Sequence, residues 1–166
     1  MAPRRQSWIV LKFGGTSVSS LANWCNIADV INARLQGGPA RVLVVHSAVS
    51  GITDRLEKLL DAALTGTHEP LLAAIEQRHR QLAAELGIDV GPELAQYFSL
   101  LRQISSGIAL TNEISDRTRA RALATGELMA TQLGAQFLNA RGIHASWWDA
   151  RSGLKAAPRA NAHARA

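Results

Sequence analysis

An α/β fold on a parallel sheet is predicted by three observations: two short apolar runs, Trp8-Ile9-Val10-Leu11 and Val42-Leu43-Val44-Val45, a helical apolar pattern between them, and a glycine-bearing loop after each run. Neither run alternates polar with apolar residues, as a strand wetted on one face would, so both suit burial on two faces. Strand, helix and strand within this length close a right-handed crossover. The strands are then parallel neighbours, and both loops lie at the carboxyl edge of the sheet, where open parallel sheets hold their ligands.

The first strand covers residues 8–13 and runs into Lys12-Phe13-Gly14-Gly15-Thr16-Ser17-Val18. Paired glycines let backbone approach a ligand closely, and a helix N-terminus behind them presents unpaired N–H groups and partial positive charge. Such a place suits a phosphate, and Lys12 adds a full charge beside it. A Walker loop is excluded, because its lysine follows the glycines. A tight strand-to-helix turn with a surface lysine accounts for the local pattern without any ligand. From Ser17 onward, Val18, Leu21, Ala22, Cys25, Ala28, Ile31 and Leu35 form a helical core stripe, which Gly37-Gly38-Pro39 ends. Cys25, the sole cysteine, falls on that stripe as a buried thiol; no internal disulfide can form, which fits a reducing compartment.

The second strand, from Arg41, leads into His46-Ser47-Ala48-Val49-Ser50-Gly51-Ile52-Thr53. Small hydroxyl residues around Gly51 make a loop able to hydrogen-bond a small polar molecule. Equally, Thr53 or Ser50 can cap the helix that carries Leu56, Leu59, Leu60, Ala63 and Leu64. His46 reads as strand-end variation rather than an added acid or base.

Two further helical stripes follow, one of Leu71, Leu72, Ile75, Leu82 and Leu86, the other of Leu94, Phe98, Leu101, Ile104 and Ile108, separated by Gly87 and the Gly91-Pro92 pair. His68 and His79 read as surface or interhelical residues. The polar stretch from Thr111 to Arg121 reads as a solvated helix face with local ion pairs. Ala124-Thr125-Gly126-Glu127 then opens a helix carrying Leu133, Phe137 and Leu138, with Glu127 in its first turn, where an acid favours the helix dipole. After Gly142, residues 143–148 alternate weakly into a third strand. Trp147 and Trp148 read as large core anchors.

Bulk properties bound the function classes. A chain of 166 residues, 47% hydrophobic and 19% charged, is one globular domain or a piece of one. No apolar run is long enough for a membrane span, and the N-terminus lacks a signal-peptide core, so a cytoplasmic protein without a membrane partner is expected. Of the net charge of +5, +4 comes from Arg151, Lys155, Arg159 and Arg165, leaving the body nearly neutral. A basic tail can hold phosphate backbones, but aromatic interleaving is missing, which argues against nucleic acid. No histidine lies at zinc-ligand spacing from Cys25, and no resident metal site is expected.

Lys12-Phe13-Gly14-Gly15-Thr16-Ser17-Val18 resembles the N-terminal signature of the aspartokinases, within the amino-acid kinase superfamily. Ser47, Ala48, Gly51, Ile52 and Thr53 match a second signature at unaltered spacing, and Gly126-Glu127 matches a third, Ser-x-Gly-Glu, in which Ala124 replaces the serine. Asp149-Ala150-Arg151 resembles a further segment. The resemblance implies a three-layer α/β/α sandwich with a mainly parallel sheet, of the amino-acid kinase and carbamate kinase kind, with the C-terminal half incomplete. Residues 1–151 would be the N-terminal part of the kinase domain and 152–166 a frayed basic tail. It also implies transfer of the ATP γ-phosphoryl group to the β-carboxylate of L-aspartate, with Mg²⁺ bound through the nucleotide. In that reading Lys12 is catalytic. Lys12, Gly14, Gly15, Thr16 and Ser17 bind phosphate or nucleotide, and Ser47, Thr53 and Glu127 bind aspartate. The full-length protein would be a homo-oligomer, and the chain alone, without the later ATP-binding segments of such enzymes, would be inactive. The residues also admit another small-carboxylate kinase of the superfamily, or a nonenzymatic interaction module.

Overall fold

The computed structural model describes residues 7–38 and 40–154. Strands β1 (Ser7–Phe13) and β2 (Ala40–His46) pair in parallel, in a register from Ser7 opposite Ala40 to Phe13 opposite His46. The crossover between them is helix α1 (Leu21–Gln36). The pleat sends alternate side chains to opposite faces. Leu11, Phe13, Val42 and Val44 pack against the helical core, whereas Trp8, Val10, Leu43 and Val45 stay exposed. Burial on both faces, expected from the continuous apolar runs, is therefore met on one face only among the described residues. Here the parallel sheet and one helical layer of the expected α/β sandwich are built, a partial domain.

That layer comprises α1 and helices α2 (Ile52–Leu64), α3 (Glu69–Leu86), α4 (Pro92–Thr111) and α5 (Asp116–Ala140). Leu56, Leu59 and Leu60 of α2 lie at its centre with Leu72, Ile75, Leu94, Leu101 and Met129, all essentially without solvent contact. The apolar stripes of α2, α3 and α4 are largely as the periodicity predicts. That of α1 is rotated. Its buried residues are Trp24, Ile27, Ala28 and Ile31, while Leu21 and Leu35 are exposed. The helix starts only at Leu21, after the Ser20 cap, and the bulk of Trp24 decides which face turns inward.

Other expectations are corrected in the same way. His68 and His79 are buried, so of the two readings the surface one falls and the interhelical one stands for His79. His79 lies between helices, its Nδ1 donating to the Ile75 carbonyl at 2.8 Å and its ring edge-on to Phe98. Of the polar stretch, Thr111 ends α4 and residues 116–121 form the first turns of α5, where Arg119 pairs with Glu57 of α2 rather than with a neighbour in sequence. The third strand is not formed among the described residues: Asn139 occupies the backbone of Ala145 instead, accepting from its N–H at 3.0 Å and donating to its carbonyl at 2.8 Å. Trp147 is half-buried, its Nε1 donating to Thr131 Oγ1 at 3.0 Å, but Trp148 is 57% exposed and is no core anchor. A short helix α6 (Ala150–Gly153), capped by Asp149, follows. The basic tail, from residue 155 on, lies outside the described residues.

Candidate functional site

The chain leaves β1 through Gly14 and Gly15 into a single 3-10 turn (Thr16–Val18). Ser17 N–H donates to Gly14 O at 3.0 Å and Val18 N–H to Gly15 O at 3.3 Å. Amides ahead of such a closed turn are its orphan donors. The helix N-terminus expected directly behind the glycines is displaced to Ser20, so any polar group at the glycines meets the 3-10 turn rather than α1. The turn is anchored from below: Trp24 Nε1 donates to the Val18 carbonyl at 3.0 Å, and Asn23 Nδ2 to the Thr16 carbonyl at 2.9 Å. Thr16 is exposed and Ser17 half-buried.

Residues 47–53 continue from β2. Ser47 N–H donates to the Phe13 carbonyl at 3.2 Å, extending the ladder one step beyond the strand and holding this loop beside the glycines. Ala48 and Val49 are buried beneath it. The α2 cap is Gly51, at a left-handed φ of 76°, so neither Thr53 nor Ser50 caps the helix, contrary to the expectation. Glycine is needed there because a side chain at that φ is strained. Ser47 is half-buried and Thr53 exposed, and neither hydroxyl has a hydrogen-bond partner among the described residues.

Glu127 lies in the middle of α5, a continuous helix of 25 residues, and not in a first turn. Its favourable position on the helix dipole therefore disappears as an explanation. The glycine before it has a packing reason instead. A β-carbon on Gly126 would stand 3.0 Å from Cβ of Ala48, 3.2 Å from Leu56 and 3.3 Å from Ile52. A β-carbon on Gly15 would stand 2.7 Å from the carbonyl oxygen of Ala48. Ala48 is thus the common contact of two glycines 111 positions apart, and the three sequence motifs meet around it. Glu127 is exposed on the residue adjacent to that contact.

Lys12, opposite Val45, follows Trp8 and Val10 on the open face of the sheet, one residue before the strand ends. Its stem therefore leaves the face opposite the helical layer, while Thr53 and Glu127 belong to helices of that layer. Gly14, beyond it, has open space around its α-carbon. The arrangement offers an ammonium group on the open face of the sheet near its carboxyl edge, with Thr53 and Glu127 on helices of the layer against the other face.

His46 takes no part. It is turned into the core, edge-on to Trp24 with ring centroids 5.3 Å apart, and its Nδ1 donates to the Ser47 carbonyl at 3.0 Å. Burial holds its pKa below the usual histidine value, against the smaller opposing effect of that hydrogen bond. Among the described residues no cluster of three His, Cys, Asp or Glu side chains is placed to hold a metal ion, and no helix is long and apolar enough to cross a membrane. Sequence patterns mark neither Ala48 as the meeting point nor Ser19, whose carbonyl accepts from Arg78 at 2.6 Å, as a bridge between the loops. A glycine inside a helical pattern, at Gly126, was the available signal for the first.

Residues 7–165 match the amino acid kinase family. Aspartokinase 1, chloroplastic, of Arabidopsis thaliana is 34% identical over 146 residues, covering 85% of this chain and 25% of that protein. The aspartokinase of Chlamydia muridarum is 30% identical over 151 residues, covering 91% of this chain and 32% of its own length. The crystal structure of E. coli aspartokinase III in complex with aspartate and ADP superposes with a TM-score of 0.71 at 30% identity, over 88% of this chain and 32% of that one. The chain spans a quarter to a third of the length of these two relatives.

Proposed function

The chain belongs to the amino acid kinase family, and we propose that its chemistry is that of an aspartate kinase. The reaction is in-line transfer of the ATP γ-phosphoryl group to the β-carboxylate of L-aspartate. A carboxylate oxygen forms the new bond to phosphorus as the bond to the β,γ-bridging oxygen breaks, giving 4-phospho-L-aspartate and ADP. The observation that supports this reading is the approach of Gly15 and Gly126 to the same residue, Ala48, which brings the segments of Gly15, Ser47 and Glu127 together, with Lys12 three residues before Gly15 near the end of β1. Identity to aspartokinases over most of the chain supports it, as does likeness to a relative crystallised with aspartate and ADP.

Two anions must meet, so the work is positioning and charge neutralisation. Lys12 is the catalytic cation at the transferring phosphoryl group. The backbone at Gly14 and Gly15, with Thr16 and Ser17, receives phosphate oxygens. Ser47 and Thr53 donate hydroxyl hydrogen bonds to aspartate, and Glu127 accepts from its amino group. Mg²⁺, if bound with the nucleotide, would supply further charge neutralisation.

As an isolated 166-residue polypeptide the chain is proposed to bind these ligands without turnover. Calorimetric titration tests the reading. L-Aspartate should bind more tightly than L-glutamate and lose about 10- to 10²-fold in affinity in Glu127→Gln, the scale of one hydrogen bond between charged groups; ADP should weaken in Lys12→Met. Equal affinity for glutamate would favour another small-carboxylate kinase, and no binding of either ligand would favour an interaction module. In a coupled ADP-release assay, turnover that vanishes in Lys12→Met would overturn the proposed inactivity of the chain alone.

A further inference from the structure

Ser19, just past the 3-10 turn, touches both loops of the carboxyl edge. Its Oγ donates to the Gly15 carbonyl at 2.5 Å and accepts from the Ser50 N–H at 2.9 Å, across 31 positions of sequence. One hydroxyl thus uses its donor on the glycine turn and a lone pair on the loop after β2. The Ser19 peptide is itself held: Nη2 of Arg78, in α3, donates to the Ser19 carbonyl at 2.6 Å, across 59 positions. A short bond from a guanidinium is charge-assisted and stronger than one between neutral groups. A β-carbon on Gly15 would already fall within contact distance of Ala48 and Ser50, so a small shift of this turn changes its spacing to both.

We propose that Ser19 and Arg78 are positioning residues that lock the glycine turn to the loop of residues 47–53, so that the phosphate-binding and aspartate-binding segments form one rigid rim. The functional half of this statement rests on the aspartate kinase reading; the mechanical half does not. Neither residue touches the ligands. Ser19 acts through Gly15 and Ser50, and Arg78 acts through Ser19 by joining the rim to the helical layer. The same rim has other supports in Trp24 and Asn23, but those bind the 3-10 turn alone; Ser19 bridges the two loops.

The test is amide hydrogen exchange, read residue by residue by NMR on the 166-residue chain. In Ser19→Ala the Ser50 amide should exchange about fivefold faster, the scale of one net hydrogen bond, while amides within α4 keep their rates. Ser19→Thr, which retains the hydroxyl, should restore protection. Arg78→Met should raise Ser50 exchange to a lesser extent, and Arg78→Lys should recover part of it. Unchanged Ser50 exchange in Ser19→Ala, or equal acceleration across α4, would overturn the lock. Titration of the same variants with ADP and L-aspartate reads the functional half: both affinities should fall together, about fivefold, in Ser19→Ala. A fall in one alone would overturn the coupling. Absence of binding by the unmodified chain would sink the kinase reading, leaving the exchange rates to judge the lock.

Discussion

Gly15 and Ala48 sit so close that a β-carbon on the glycine would stand 2.7 Å from the alanine carbonyl oxygen. A backbone atom cannot swing aside as a flexible side chain can. Gly15→Ala should therefore separate the two loops and destabilise the fold by about 1–3 kcal/mol. Urea unfolding gives the stability change, and the Ser47 and Ser50 amide shifts report whether the loops have parted. At Gly14, with nothing within contact distance, alanine should cost much less.

Helix α5 closes on the crossover by the same device. A β-carbon on Gly134 would stand 2.2 Å from the Trp24 ring and 3.1 Å from His46 Nε2. Gly134→Ala should lose about 1–3 kcal/mol through overpacking despite alanine's better helix propensity. Gly107, inside α4 with open space around it, is the control: Gly107→Ala should gain about 0.5–1 kcal/mol. Paired thermal melts read both signs.

Trp24→Phe should keep most of the packing against Phe137 but leave the buried Val18 carbonyl without its indole donor. A cost of about 1–3 kcal/mol is expected. Exchange at the 3-10 turn should rise more than exchange in α2, and equal changes in both would contradict the anchoring role.

Acid should weaken the fold through His46 and His79. Burial, the largest influence on each, holds both pKa values below 6.5 in the folded state, with Arg78 adding to the effect at His79. The unfolded chain therefore binds more protons just below that value, so stability is complete above about pH 6.5 and declines as pH falls toward the folded values. Melting temperatures measured from pH 7.5 to pH 5 should drop, and His79→Leu should flatten part of the drop. An unchanged profile in that variant would exclude His79 as a contributor.

The Arg119 and Glu57 ion pair joins α5 to α2 between partly exposed side chains, 40% and 38% accessible. Solvent screens such pairs, so Arg119→Ala should cost no more than about 1 kcal/mol, and less in high salt. A larger, salt-independent loss would mean that the arginine stem contributes by packing.

Local chemistry decided much of this protein from the sequence alone. The two apolar runs, the periodicity between them and the connection length were enough for parallel strands, and the stripes on α2, α3 and α4 follow from helical spacing. The same strings carried the resemblance that the family match bears out. What needed the tertiary structure was everything set by competition between segments. Trp24 outweighed Leu21 and Leu35 for the inward face of α1 because one large ring fills the space above β2. Residues 143–148 found the Asn139 side chain rather than a strand partner. Glu127 falls in a helix middle rather than at a helix start because α5 already begins at the Ser115 cap, and Gly126 lets that helix pack close to Ala48. A sequence lists the donors, acceptors and volumes; which of them meet is decided by the packing of elements far apart in the chain, and at Ala48 that packing brings three of them together.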